Sequence, residues 1–166
     1  MSRRFSPITS GKTPLYRRLR AVENESNRSV GGVYESDFDV VRAFGQFAFP
    51  AAGQPCAVFA ELLSNTDAAS SEDKAYLVGA SIGKCKNPGS MQFAYNFRDV
   101  DADATPAALM DSTIGGGGSN IKGHKFSLGW QVAKNWKCGV NYMMADRTRS
   151  TTTDHEVIQL DLNYKF

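Results

Sequence analysis

No run of this chain is long and apolar enough to cross a membrane as a helix. The longest stretch without a charged residue, Ala43 to Ala60, is broken by Pro50, Gly53 and Pro55 and holds Gln46 and Gln54. A spanning helix needs about 20 consecutive, mainly apolar residues. Cysteine is scarce. Cys56, Cys85 and Cys138 are widely spaced with no C-x-x-C, which argues against a zinc or redox site and leaves packing residues, or one pair plus a single thiol. Acids are missing from residues 1–20, where Arg3, Arg4, Lys12, Arg17, Arg18 and Arg20 stand alone. No interleaved aromatics or binding motif accompany these bases, so nucleic-acid binding is not indicated. Nor is there the apolar core of a secretory signal between Phe5 and Leu15. Residues 1–36 therefore read as a basic leader, disordered or non-native, ahead of a single domain spanning 37–166.

What is present is strict two-residue alternation, the signature of a strand with unlike faces. In the final segment Ile158, Leu160, Leu162, Tyr164 and Phe166 share one side, and Gln159, Asp161, Asn163 and Lys165 the other. Phe126, Leu128, Trp130 and Val132 oppose Lys125, Ser127, Gly129 and Gln131. Trp136, Cys138, Val140, Tyr142 and Met144 oppose Lys137, Gly139, Asn141 and Met143, while Met91, Phe93, Tyr95 and Phe97 oppose Gln92, Ala94, Asn96 and Arg98. Weaker patterns predict strands over roughly 38–49, 56–64 and 74–83. That makes about seven strands of about ten residues, the length a tilted strand needs to cross a bilayer.

The connections alternate in length as well. Those near 50–55, 84–90 and 133–136 are short, whereas 65–73, 101–121 and 148–155 are longer. Bacterial outer-membrane barrels keep short periplasmic turns and longer outer loops. Mean hydropathy is only −0.35, but a barrel presents every second residue to lipid, so a low mean is expected. A soluble sandwich also alternates. Against it stand Trp136, Tyr164 and Phe166 near strand ends, where interfacial girdles occur. A basic side chain facing lipid at mid-bilayer costs roughly 2–4 kcal/mol. Arg98, Lys125, Lys137 and Lys165 all lie on the polar side, so only one assignment of faces is tolerable.

The fold class that follows is all-β: an antiparallel transmembrane barrel, or a large arc of one. The lumen side is expected to carry Gln92, Asn96, Arg98, Lys125, Gln131, Lys137, Asn141, Gln159, Asp161 and Lys165. The lipid side and its girdles are expected to carry Phe93, Tyr95, Phe97, Phe126, Leu128, Trp130, Trp136, Tyr142, Leu160, Leu162, Tyr164 and Phe166. Single-chain barrels have even strand numbers. Either an eighth strand lies near Val30 to Tyr34, or the chain is part of a larger barrel.

Three short motifs suggest chemistry and fail on context. Gly79 to Gly83 fits G-x-S-x-G around Ser81, but that motif needs a strand–turn–helix and a long alternating strand holds it here. His124 and His155 lie downstream with nothing to place them as its base. Gly115 to Gly118 followed by Lys122-Gly123 suggests a phosphate cradle, yet His124 and a strand follow where a P-loop has Ser/Thr and a helix. It reads as a flexible outer loop. Asp99, Asp101 and Asp103 lack the glycine and glutamate of an EF-hand loop and read as strand-end carboxylates beyond the bilayer. No enzyme activity, cofactor or metal is expected.

Several stretches carry a family resemblance: DFDVVRAFG at Asp37–Gly45, YLVG at Tyr76–Gly79, NPGSMQFAYN at Asn87–Asn96, GGGGSNIKGHKFSLG at Gly115–Gly129, KNW at Lys134–Trp136 and LDLNYKF at Leu160–Phe166. In these the sequence resembles the C-terminal part of the barrel of the bacterial putative porin family. The resemblance implies a bacterial outer-membrane location, passive diffusion of small polar solutes through a pore, and contacts with outer-membrane lipid and lipopolysaccharide. The ending on Phe166 is similar to the insertion signal read by the barrel-assembly machinery. A homo-oligomer stays open. Family members are longer and begin with a signal peptide, which implies a truncated fragment. The competing expectation is a small, non-conducting eight-stranded barrel acting as an anchor or adhesion module, since eight strands leave a lumen filled by side chains.

Overall fold

Side-chain character that alternates at a period of two makes each long segment of this chain a strand. The computed structural model describes residues 27–30, 33–110, 113–148 and 154–166. A short ribbon, β1 (Ser29–Val30) with β2 (Val33–Tyr34), precedes a seven-stranded antiparallel meander. Its strands are β3 (Val40–Ala51), β4 (Gln54–Asn65), β5 (Lys74–Gly83), β6 (Met91–Val100), β7 (Ile121–Ala133), β8 (Trp136–Arg147) and β9 (Asp154–Tyr164). Each pairs only with its sequence neighbours, in the order β3-β4-β5-β6-β7-β8-β9.

The seven segments predicted from alternation are these seven strands, within a few residues at each end. The eighth is not found near Val30 to Tyr34. Those residues pair with each other, Val30 opposite Val33 and Ser29 opposite Tyr34, and no described residue joins the outer edge of β3 or β9. Segments of two residues are too short to add a ladder to strands of 10 to 13. The sheet is therefore an open arc, and an eight-stranded closed barrel is not formed by the described residues.

The connections 52–53, 84–90 and 134–135 lie at one end of the strands; this is the turn end. At the opposite, loop end lie 66–73, 101–120 and 148–153. The expected parity of short and long fails at the last of these, which is shorter than 84–90 because β8 and β9 run further into it than alternation predicted. Ala52 and Gly53 have φ of 50° and 72°, the two left-handed residues of a type I′ hairpin, whose twist matches that of the strands. The Lys134-Asn135 hairpin has no left-handed residue. It instead absorbs a register shift between Gln131 and Ala133, the kink of a bulge.

Whereas on one face Phe44, Phe59 and Leu77 interrupt the polar rows of β3 to β5, on the other the register aligns apolar side chains across the sheet. In one row Phe93 faces Leu128, Leu128 faces Val140, and Val140 faces Leu160. In the next row Tyr95, Phe126, Tyr142 and Ile158 stand opposite one another. This apolar face stays open: Phe47 is 67% and Leu160 75% exposed. The hydrophobic core lies on the other face, at the loop end. There Ala75, Val100, Ile121, Met143 and Ala145 pack under Ala104 and Ile114 of the β6–β7 connection, flanked by Leu63, Met110 and Val157.

Candidate functional site

On the polar face the middle rows carry Arg42, Glu61, Gln92, Asn96, Arg98, Lys125, Ser127, Asn141, Gln159 and Asp161. Arg42 Nε meets Glu61 Oε1 at 2.6 Å across β3 and β4. Farther round the arc a hydrogen-bonded chain crosses three strands. Ser127 Oγ donates to Asn141 Oδ1 at 2.6 Å, Asn141 Nδ2 to Asp161 Oδ2 at 3.0 Å, and Gln159 Nε2 to Asp161 Oδ1 at 2.9 Å. Ser127, Asn141 and Asp161 rim a shallow hollow of about 280 Å³ over the facing pair Gly129 and Gly139. The space a side chain would take at Gly129 is filled by Cys85 Sγ and the stem of Lys137, and Asp161 lies against Gly139, while amides, a hydroxyl, Lys137 and Asp161 offer donors and acceptors around the hollow.

The residues expected on one side of the sheet do share it. Gln92, Asn96, Arg98, Lys125, Gln131, Lys137, Asn141, Gln159 and Asp161 occupy one face by register. Phe93, Tyr95, Phe97, Phe126, Leu128, Trp130, Trp136, Tyr142, Leu160, Leu162 and Tyr164 occupy the other. Lys165 and Phe166 lie past the last strand residue, although Lys165 N still donates to Asn135 O at 2.9 Å. At the turn end the Trp136 and Tyr164 rings sit 4.8 Å apart, and Phe166 follows 6.1 Å from Tyr164.

Toward the loop end both faces change character, which uniform alternation along a strand does not reveal. The polar side turns apolar at Leu63, Ala75, Val100, Ile121, Met143, Ala145 and Val157. The apolar side turns charged at Asp99, Lys122, Asp146 and Glu156. Lys122 Nζ meets Asp99 Oδ2 at 3.0 Å. Residues 101–110 and 113–120 explain the first change, because they fold back over the polar face. Ile114 is fully buried there, as are Ser119 and Asp103. Gly115, Gly116, Gly117 and Gly118 all have φ between 61° and 87°, a left-handed run that other residues adopt only under strain. Arg147 Nη2 holds that run, donating to Gly115 O at 3.1 Å and Gly117 O at 3.0 Å. The four-glycine segment is thus a packed turn against the wall, not the flexible outer loop its composition suggests.

The N-terminal ribbon fastens the same connection. Asn27 Nδ2 donates to Ala102 O and, at 2.9 Å, to Thr105 O, and Asn27 Oδ1 accepts from Ala107 N at 2.8 Å. Arg28 N donates to Asp103 Oδ1 at 3.1 Å, and its guanidinium reaches Glu72 at 3.2 Å. That ion pair raises the Arg28 pKa. Asn65 Nδ2 donates to Asp103 O and Asp37 O, both at 2.8 Å. Residues 27–36, assigned to the leader on sequence, therefore touch the domain; residues 1–26 lie outside the described residues. Nothing in the sequence marked Asn27 beyond its being an amide near a basic stretch, because its partners lie 75 to 80 residues away.

The remaining motifs resolve as structure. Ser81 sits inside β5, opposite Ala57 and Ala94. His124 is hydrogen-bonded to Tyr95 Oη at 2.8 Å. Asp99 pairs with Lys122, Asp101 Oδ2 accepts from Lys74 N at 3.1 Å, and Asp103 Oδ2 accepts from Ser70 at 2.9 Å. The three carboxylates thus serve three different partners. Burial pushes the Asp101 carboxyl above the usual carboxylate range. Among the described residues no cluster of His, Cys, Asp and Glu could hold a metal ion. Cys56, Cys85 and Cys138 are all free thiols, so the expected option of one disulfide is not realised.

No curated protein and no solved structure matched this chain. A family match covers residues 34–166, from the second ribbon strand through the whole meander to the final phenylalanine. With the two-faced sheet and the rows of aligned apolar residues, it identifies the chain as a member of the putative porin family.

Proposed function

We propose that this chain forms wall in a bacterial outer-membrane pore, through which small polar solutes cross by passive diffusion. The observation that carries it is the continuous apolar face. A soluble sheet covers such a face with a second layer, whereas Leu160, Leu62 and Phe47 here are 59–75% exposed. Hydrocarbon meets that face, and water fills the space before the polar one. The turn end faces the periplasm and the loop end the outside. Residues 101–110 and 113–120 fold across the lumen side near the outer mouth, so solute passes between them and the wall carrying Arg98, Lys125 and Asp161. The pore does no chemistry.

The free edges of β3 and β9 set a condition. In lipid each unpaired backbone group costs several kcal/mol, so a working pore needs those edges paired by further strands, from more of the same polypeptide or from other copies. The seven strands are then an arc of a larger barrel, a fragment of the pore. The small anchor barrel is the weaker reading, because the residues that could have supplied an eighth strand pair with one another.

Proteoliposome swelling tests the proposal. Vesicles carrying the chain should admit an uncharged pentose faster than empty vesicles do. Swelling equal to that of empty vesicles, with copies of the chain inserted and joined so that the β3 and β9 edges are paired, would reject the pore.

A further inference from the structure

Charge is segregated along the strands. At the turn end, stretches 49–56, 82–92, 130–138 and 162–166 contain five lysines and no acidic side chain. Of these, Lys84, Lys86, Lys134 and Lys165 are exposed. At the loop end carboxylates crowd together, with three in 67–73 and three more in 99–103. Aromatics are segregated in the same way. The only two tryptophans, Trp130 and Trp136, both belong to the turn-end band of the apolar face, and Trp136 packs on Tyr164. Indole and phenol rings settle at headgroup depth. A lysine beside them lays its stem along apolar surface and holds its ammonium in the water layer above.

We infer that the turn end is a docking surface for anionic phospholipid headgroups, of the phosphatidylglycerol class. This rests on the reading of the apolar face as lipid-facing. The exposed lysines meet headgroup phosphates, the indoles lie just below them, and no acidic side chain at that end opposes the attraction. The loop end repels the same headgroups, so the chain sits across the bilayer in one sense. Phospholipid is the occupant because the turn end belongs to the periplasmic side. Each lysine near such a surface contributes about 1 kcal/mol, roughly a fivefold preference. The effect is confined to the headgroup layer, since screening sets in within about 8 Å at physiological salt.

Both tryptophans lie in the band in question, so their fluorescence reports the lipids around the turn end. The chain is inserted into phosphatidylcholine vesicles containing a minor fraction of phosphatidylglycerol. Bromines are placed on the chains of one lipid or, at equal mole fraction, the other. Brominated phosphatidylglycerol should quench severalfold more than brominated phosphatidylcholine. That excess should vanish in about 1 M salt and in the combined Lys84→Gln, Lys86→Gln, Lys134→Gln, Lys165→Gln variant. Equal quenching by the two lipids at low salt overturns the docking surface and leaves the lipid-facing sheet intact. An excess that survives salt or the substitutions also overturns it. No quenching by either lipid overturns the lipid-facing sheet and this inference together. The salt arm uses the unaltered chain, so its outcome does not depend on the variant's folding.

Discussion

Leu128→Lys separates a lipid-facing sheet from a water-facing one by magnitude. Leu128 lies mid-strand in β7, in the row Phe93, Leu128, Val140, Leu160, with no charged residue beside it in that row. It is 41% exposed in the isolated chain. Were water its neighbour, a lysine could extend outward and stability would change by about 0.5 kcal/mol at most. With hydrocarbon as its neighbour, a lysine at mid-bilayer costs roughly 2–4 kcal/mol, a 30- to 700-fold shift in the folding equilibrium. Ser127→Lys, one residue away on the opposite face, supplies the control; it gives up the hydrogen bond to Asn141 and should cost about 1 kcal/mol, well below Leu128→Lys. The assay is urea unfolding from short-chain phosphatidylcholine vesicles, followed by the fluorescence of neighbouring Trp130. If Leu128→Lys and Ser127→Lys unfold at the same urea concentration, the face assignment is refuted.

Other consequences concern the inward-folded connection. Ile114→Ala removes a fully buried side chain and should cost about 2–5 kcal/mol, seen as faster amide exchange over 101–120 with β7 and β8 little changed. Asn27→Ala strips three hydrogen bonds from the same segment. Protease should then cut within 101–120 sooner, whereas cleavage unchanged from the parent would show that the ribbon does not fasten it. Asp101 gives a pH dependence with a definite sign. Its folded pKa lies above the unfolded one, so the segment gains stability as pH falls through the window between them and loses it as pH rises. Protease resistance measured against pH should show this gain in the parent relative to Asp101→Asn.

The meander was legible because a period of two is a local property. Phe126 to Val132 or Ile158 to Tyr164 announce a strand with unlike faces before any partner is known, and the long and short connections order those strands into hairpins. What stayed hidden depends on distant pairing. Ile121, Met143 and Ala145 occupy polar-face positions but are apolar, and only the connection returning over them explains why. The glycines at 115–118 suggested flexibility, since composition does not separate a floppy run from one needed for four left-handed residues in a packed turn. Val30, Val33 and Tyr34 looked like strand and are strand, but they belong to a ribbon that pairs only with itself. On the polar and apolar faces the assignment of side chains followed directly from alternation, whereas the grip of Asn27 on residues 102–107 spans 75 to 80 residues of chain and left no local mark.

Oxygen and nickel-chelate accessibility of spin labels walked along β9 asks the central question most directly. In a Cys56→Ser, Cys85→Ser, Cys138→Ser background, single labels at 158 to 163 are compared in vesicles. Labels at Ile158, Leu160 and Leu162 should collide with oxygen and be shielded from the chelate, and those at Gln159, Asp161 and Asn163 should do the reverse. A chelate that reaches Leu160 as readily as Asp161 would contradict the account.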